Sequence, residues 1–146
     1  MSRTLKKVTG LRCVLCGTVY AHGEQEYTCP RCGLEGILDV EYDAELIGKR
    51  FSRRTLEMDR DLSLWRYRAL LPLPDDVVPP RLQVGWTPIV ESPALAVELG
   101  LGAFFVKDDG RNPTASFKDR ASSVGVTRAR WLGRNEITCS STGNAA

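Results

Sequence analysis

Two groups of residues in this 146-residue sequence have types and spacings that could do chemistry. The first is C13-V-L-C16 followed, after twelve intervening residues, by C29-P-R-C32. Zinc takes four soft ligands in a tetrahedron, and each C-x-x-C turn here is followed by a glycine that lets the backbone bend. Cys13, Cys16, Cys29 and Cys32 can therefore converge on one ion. His22 is the one histidine of the chain, so four thiolates outrank a mixed cysteine–histidine set, and His22 reads as an exposed turn residue. Iron in the same knuckles is the alternative metal. A thioredoxin-like redox pair fits poorly, because neither C-x-x-C opens a helix after a strand. A closed four-thiolate site has no open coordination position, so its metal would stabilise folding and leave catalysis to other residues.

The second group is R111-N-P-T-A-S-F-K-D-R-A121 with S140-S-T-G-N144 after it. Lys118 falls at the second position of an expected helix, where the positive end of the macrodipole disfavours an added ammonium, and Phe117 offers an apolar wall. Both effects favour the free amine, the form that condenses with an aldehyde to a Schiff base. Lys107, next to Asp108 and Asp109, reads instead as a paired charge. The S140-S-T-G-N144 loop follows an expected strand and precedes an expected helix start at Ala145–Ala146. Backbone N–H groups and hydroxyls there would point at a carboxylate or phosphate. Cys139 reads as a small buried apolar residue just ahead of that loop.

Three segments must position these residues. Residues 1–45 form a small metal-held module, with a hairpin across A21-H-G-E-Q-E26 and a strand in G36-I-L-D-V-E-Y-D43, where Leu38, Val40 and Tyr42 alternate with acids. Such a module is too small to bury a sizeable core. Residues 46–82 form a helical connector, with a short helix over D59–L71 that stops at P72-L-P74 and a proline-rich tether. Residues 83–146 have an α/β pattern. S92-P-A-L-A-V-E-L-G100 predicts a helix with Ser92 as N-cap, Pro93 at the first position and Gly100 past the end. A103-F-F-V-K107 predicts a buried strand. A second helix runs from Phe117 to about Leu132, entered by an S116-F-K-D119 capping box and ended by Gly133. E136-I-T-C139 predicts a strand. Strand, helix and strand in this order suggest a parallel sheet with crossover helices, and open sheets of that kind bind ligands past the carboxyl ends of their strands.

Composition bounds the partners. Apolar residues make up 42% of the chain and charged residues 26%; 20 basic and 18 acidic residues are interspersed, for a formal charge of +2. That balance supplies no basic footprint for nucleic acid. No apolar run approaches the roughly 18 residues of a membrane span, and the N-terminus lacks a signal-like apolar stretch, so a cytoplasmic, reducing location is expected.

At N112-P-T-A-S-F-K-D-R-A121 and S141-T-G-N144 the sequence resembles the fold-type II pyridoxal phosphate enzymes, and within that group the threonine synthases. G85-W-T-P-I89, V106-K-D-D-G110 and L64-W-R-Y-R-A-L-L-P72 share in the resemblance, and a four-cysteine ribbon occurs in some members. The implied fold is the incomplete start of a three-layer α/β/α domain behind a zinc-ribbon-like module. The implied cofactors are pyridoxal 5'-phosphate and a structural zinc. The resemblance implies that Lys118 forms the internal aldimine and shuttles protons, that Phe117 packs near the ring, and that Asn144 meets the cofactor's 3'-hydroxyl. Ser141, Thr142 and Gly143 would hold the carboxylate of a small amino-acid substrate. The implied reaction converts O-phospho-L-homoserine and water to threonine and phosphate. Ala115 and Ala121 stand where the family often has glycine.

Other fold-type II enzymes compete: serine or threonine dehydratases, cysteine synthase-like enzymes and cysteate synthase. A zinc-ribbon binding module without catalysis is the reading from another class. A homodimer stays open. Residues 83–146 are too few to close a doubly wound sheet, so a piece of a longer enzyme, inactive alone, is expected, with the cofactor's phosphate loop and its pyridine-nitrogen partner beyond Ala146.

Overall fold

In the computed structural model, which describes residues 5–25 and 27–143, the chain divides into two units. One comprises Met1–Asp59 with Tyr67–Asp76, the other Arg60–Arg66 with Val77–Ala146.

The first unit is built on strand β1 (Val8–Cys13), which pairs antiparallel with β2 (Val19–Tyr20) on one side and β3 (Leu38–Tyr42) on the other. Between Val8 and Gly10 the register to β3 shifts, and Gly10 and Leu11 are both buried, which interrupts the two-residue alternation as a bulge does. A Cβ at Gly10 would stand 2.9 Å from Val19 Cγ1 and 3.1 Å from the Tyr20 carbonyl, so only glycine lets the strands close here. Cys13, Tyr20 and Cys29 form a small buried cluster with Leu38 and Cys32 packed against it. Of the hairpin expected between the tyrosines only the turn is present: Glu24 N donates to the Ala21 carbonyl and Gly23 takes the left-handed conformation (φ 88°), while β2 pairs with β1 and Thr28 bridges Ile37. His22 is half-buried there and pairs with Gln25 in an isolated bridge, so it is less exposed than expected.

Two helices that the sequence reading leaves inside its connector follow, α1 (Ala44–Arg50) and α2 (Arg53–Met58). The Asp43 carboxylate accepts the Leu46 N–H at 2.8 Å and opens α1, with Glu45 in its first turn and Lys49 and Arg50 in its last, as the helix dipole favours. Ser52 and Thr55 cap α2 reciprocally. The expected helix over 59–71 is a 3-10 stretch, Leu64–Leu70, broken by non-helical dihedrals at Tyr67, and the two units divide at that residue.

The second unit holds strands β4 (Ile89–Glu91) and β5 (Phe105–Lys107), with α3 (Pro93–Glu98) between them and α4 (Lys118–Trp131) after them. Pro93 opens α3 and Gly100 (φ 64°) follows its end as expected, although the Ser92 side chain makes no capping bond. Strand β4 is not among the expected strands; it pairs antiparallel with β5, Val90 opposite Val106, and the parallel sheet expected from residues 103–107 and 136–139 is not formed among the described residues. With six residues, α3 is under two turns long, and the chain folds straight back beside β4. Strand β5 is exposed along its length, Phe105 by 60%, where a buried strand was expected. Residues 136–139 are not a strand, and Cys139 is exposed. No ladder partner meets them among the described residues, so the apolar pattern of E136-I-T-C139 has nothing to pair with. Helix α4 ends as expected at Trp131, with Gly133 in the left-handed region (φ 76°). Its face with Ser123 and Thr127 is buried, and the Thr127 hydroxyl is satisfied by the Ser123 carbonyl at 2.7 Å.

Among the described residues, no helix is long and apolar enough to cross a membrane.

Candidate functional site

The four paired cysteines meet in the first unit, their sulfurs all within 4.8 Å of one another. The first knuckle turns after β1, where Gly17 N donates to the Cys13 carbonyl. In the second, Cys32 N and Gly33 N both donate to the Cys29 carbonyl. Gly36 closes the pocket from behind: a Cβ there would lie 2.7 Å from Cys32 Cβ and 2.8 Å from Cys29 Cβ. Cys13 and Cys29 are fully buried, Cys16 exposed and Cys32 half-buried. The Cys16 and Cys29 sulfurs are 3.7 Å apart. Four thiolates around zinc at about 2.3 Å would have edges of about 3.8 Å, so the spacing fits a tetrahedral ion.

The sulfurs do not share charge evenly. Hydrogen bonds from the Thr18 hydroxyl and backbone N–H hold Cys16 down at about 6, and the Tyr20 hydroxyl, 3.0 Å from Cys29, lowers that thiol. Cys32 is pushed up to about 12, first by its hydrogen bond with Cys16 and then by burial, while the bond to Cys29 raises Tyr20 to about 12. Thiolates crowded this closely repel, and a bound cation relieves that repulsion. The donor set thus fits a metal ion. His22 is not part of it.

In the second unit, Lys118 is the first residue of α4, one position earlier in the helix than expected. Phe117, its N-cap, offers no side-chain bond, and the expected capping box does not form. The Ser116 hydroxyl accepts the Lys118 N–H at 3.2 Å, but the Asp119 carboxylate turns to Thr114, taking its N–H at 2.8 Å and its hydroxyl at 2.6 Å. Geometry explains the choice: Ala115 sits in the left-handed region (φ 56°), which curls Thr114 back over the start of the helix. The Lys118 amine is half-buried and stands 4.4 Å from the centroid of the Phe117 ring. Among the described residues it has no hydrogen bond and no ion pair. A primary amine with an aromatic wall and no counter-ion fits the aldehyde of a pyridoxal cofactor.

Lys107 departs from its expected pairing with Asp108 and Asp109, since its amine donates to the Thr87 carbonyl at 2.6 Å. Asp109 instead is gripped by Arg120, whose Nε and terminal nitrogen each lie 2.8 Å from a carboxylate oxygen. That pair, with help from the Thr87 hydroxyl, holds the Asp109 carboxyl well below the usual carboxylate range. The sequence reading passed over Arg120. Its signal was the spacing: position 120 shares the inward face of α4 with Ser123 and Thr127.

The anion loop is less formed than expected. Ser141, Thr142 and Gly143 lie in an exposed turn, in which Gly143 N donates to the Ser141 hydroxyl at 3.1 Å, and no strand leads into it. The Lys118 amine makes no hydrogen bond to this turn. Asn144 and the helix expected from Ala145 lie outside the described residues.

Residues 80–146 match the family described as pyridoxal-phosphate dependent enzyme. Over 136 residues, 93% of this chain, it is 41% identical to a threonine synthase of Methanosarcina acetivorans, and covers 32% of that protein. It is 43% identical over 135 residues to a threonine synthase of Methanocaldococcus jannaschii, again 32% of the relative's length. A threonine synthase of Synechocystis sp. is 41% identical over 81 residues, 55% of this chain. The chain therefore spans about a third of the length of the first two relatives. No solved structure matches it. Lys118, Phe117 and the Asp109–Arg120 pair all fall inside the segment that matches the family described as pyridoxal-phosphate dependent enzyme, within a chain that is similar over most of its length to the threonine synthases of two organisms.

Proposed function

We propose that this chain serves a threonine synthase: pyridoxal phosphate-dependent conversion of O-phospho-L-homoserine and water to L-threonine and phosphate. The observation that carries the reading is the half-buried Lys118, whose amine has no counter-ion among the described residues and stands beside an aromatic face, in a segment that matches the pyridoxal-phosphate dependent enzyme family. The similarity to threonine synthases extends beyond that segment, over 93% and 92% of the chain, and supports the choice of substrate.

Bound pyridoxal phosphate supplies an electron sink for charge that develops at the substrate's α- and β-carbons. The chain supplies the groups around it. Lys118 holds the cofactor's aldehyde through its amine and, once free, moves protons at Cα and Cβ. Phe117 walls the cofactor ring. Ser141, Thr142 and the Gly143 backbone bind the substrate carboxylate, and Asn144 meets the ring hydroxyl. Water is needed as a reactant late in the sequence, so the site must admit it after phosphate has left.

In the first unit, Cys13, Cys16, Cys29 and Cys32 hold a zinc ion that stabilises the fold. The cytoplasm, where thiols stay reduced and free to bind metal, suits that role.

The test is turnover of O-phospho-L-homoserine by the protein that carries this chain, read as phosphate release together with threonine formation, and repeated with Lys118→Ala. Loss of both products in the variant is expected. An inert phosphohomoserine with consumption of free serine would overturn the substrate assignment in favour of a dehydratase or β-replacement enzyme of the same family.

A further inference from the structure

Among the described residues, no hydrogen bond or ion pair fixes where the Lys118 amine stands. Its neighbour is the Phe117 ring, and that ring is 58% exposed. Placement must therefore come from the backbone of the first turn of α4, where the N-cap Phe117 offers no side-chain bond and the Ser116 hydroxyl takes only the Lys118 N–H. Two carboxylates hold it instead. Asp119, directly after Lys118, ties the turn to Thr114. Arg120, two residues after Lys118, ties it to Asp109.

The second tie belongs to a wider network. Arg120 Nε donates to one oxygen of Asp109 and its terminal nitrogen to the other, both at 2.8 Å, and that same terminal nitrogen lies 3.2 Å from the Thr87 hydroxyl. The Thr87 hydroxyl in turn donates to Asp109 at 2.5 Å. Asn112, 5% exposed, accepts the Gly85 N–H at 2.9 Å and donates to the Asp109 carbonyl at 2.9 Å, so the chain on either side of Asp109 is pinned to the Gly85–Thr87 segment. Gly85 (φ 85°) walls the guanidinium: a Cβ there would stand 3.1 Å from it and 2.8 Å from Leu64 N. Arg120 and Asp109 side chains are only 27% and 23% exposed. A planar fork meeting a carboxylate at two points fixes orientation as well as distance, which a lysine at the same position does not do.

We infer that Asp109 and Arg120, with Thr87, form a positioning clamp for Lys118, fixing the first turn of α4 so that the lysine amine meets the cofactor's aldehyde. The inference rests on the reading of Lys118 as the amine that takes the cofactor. Arg120 and Asp109 are positioning residues: they act through the helix turn and touch neither cofactor nor substrate. Misplacing a reacting group by about 1 Å can cost on the order of a hundredfold in rate, which is why a clamp two residues away matters.

The experiment treats the protein that carries this chain with pyridoxal 5'-phosphate, reduces it with borohydride, and quantifies the mass label on Lys118 against that on exposed Lys49. Wild type is compared with Arg120→Lys, Asp109→Asn and the double variant, at a temperature where all keep wild-type circular dichroism. The expected result is a Lys118-to-Lys49 ratio at least tenfold lower in each single variant, with the double variant no worse than either, as coupled partners require. A role in stability alone would lower the melting temperature and leave the ratio in folded protein unchanged, and that outcome overturns the clamp. If wild type shows no preference for Lys118, the reading of the lysine falls and the clamp with it, a result visible before any variant is made. Should Asp109→Asn fail to fold, Arg120→Lys, which keeps the charge and most of the bulk, decides the matter.

Discussion

The ammonium end of Lys118 lies over the face of Phe117, 4.4 Å from the ring centroid, so the first residue of α4 is packed against its own N-cap. Adjacent residues rarely face each other on a helix, yet this pair meets at its first turn. The contact gives the amine an aromatic wall.

Truncating that wall has a foreseeable effect. An aromatic pair contributes roughly 0.5–1.5 kcal/mol, so if the Phe117 ring walls the cofactor ring, Phe117→Ala should weaken pyridoxal 5'-phosphate binding about two- to tenfold, and Phe117→Tyr should retain it. Titration of the visible absorbance of the bound cofactor measures this; unchanged affinity in Phe117→Ala would remove the ring from the cofactor wall.

Ala115 occupies the left-handed region with φ 56°, where a Cβ costs roughly 1–2 kcal/mol. Glycine removes that cost and adds back roughly 0.4–1 kcal/mol through a freer unfolded chain. Ala115→Gly should therefore stabilise the second unit by about 0.5–1 kcal/mol, and Ala115→Val should destabilise it. Urea unfolding monitored through the tryptophans reports both, and a glycine variant less stable than wild type would contradict the strain.

The Asp109–Arg120 pair gives the acid limb of stability a definite sign. The carboxyl is held below its unfolded value, so its contribution is complete above roughly pH 4 and is lost progressively as the pH falls toward the folded value. At neutral pH, Asp109→Asn should cost about 1.5–3 kcal/mol, the scale of hydrogen bonds to a charged group. The gap between variant and wild type should narrow below pH 4. Unfolding free energies measured from pH 2.5 to 7 show the narrowing, and a gap that stays constant with pH would mean the ion pair is not its source.

For the cysteine cluster, the expectation is one metal ion per chain, lost with Cys13→Ser or Cys29→Ser along with the order of the first unit, because the two buried sulfurs have no other role in so small a core. Tyr20 tunes the site from outside through its hydroxyl, 3.0 Å from Cys29. Tyr20→Phe should lower metal affinity about 10- to 100-fold while keeping the fold. Metal content by atomic spectroscopy and competition with a chelator check both statements.

Local chemistry was legible in the sequence wherever it was carried by neighbours along the chain. The spacing of Cys13, Cys16, Cys29 and Cys32 announced their convergence, since two short knuckles need little more than their own glycines to bend. Pro93 and Gly100 bounded α3, Gly133 bounded α4, and the S116-F-K-D119 stretch located Lys118 at a helix start, because caps and breakers act within one turn. The helices α1 and α2 could have been read too, from Asp43 with Glu45 and from Ser52 with Thr55.

What the tertiary structure alone decided were the pairings between distant residues. Whether β4 and β5 run parallel or antiparallel, and whether E136-I-T-C139 has a strand beside it, depends on partners that no local pattern names. Asp119 followed a local rule on paper and broke it in space, because Ala115 curled Thr114 within its reach and the carboxylate satisfied two donors there. Arg120 found Asp109 eleven positions away through the return of the chain past β5. The sequence by itself determined which residues could bind a metal and which lysine could meet an aldehyde. Only the fold decided what holds that lysine in place, since long-range contacts set by packing outweigh a single local preference.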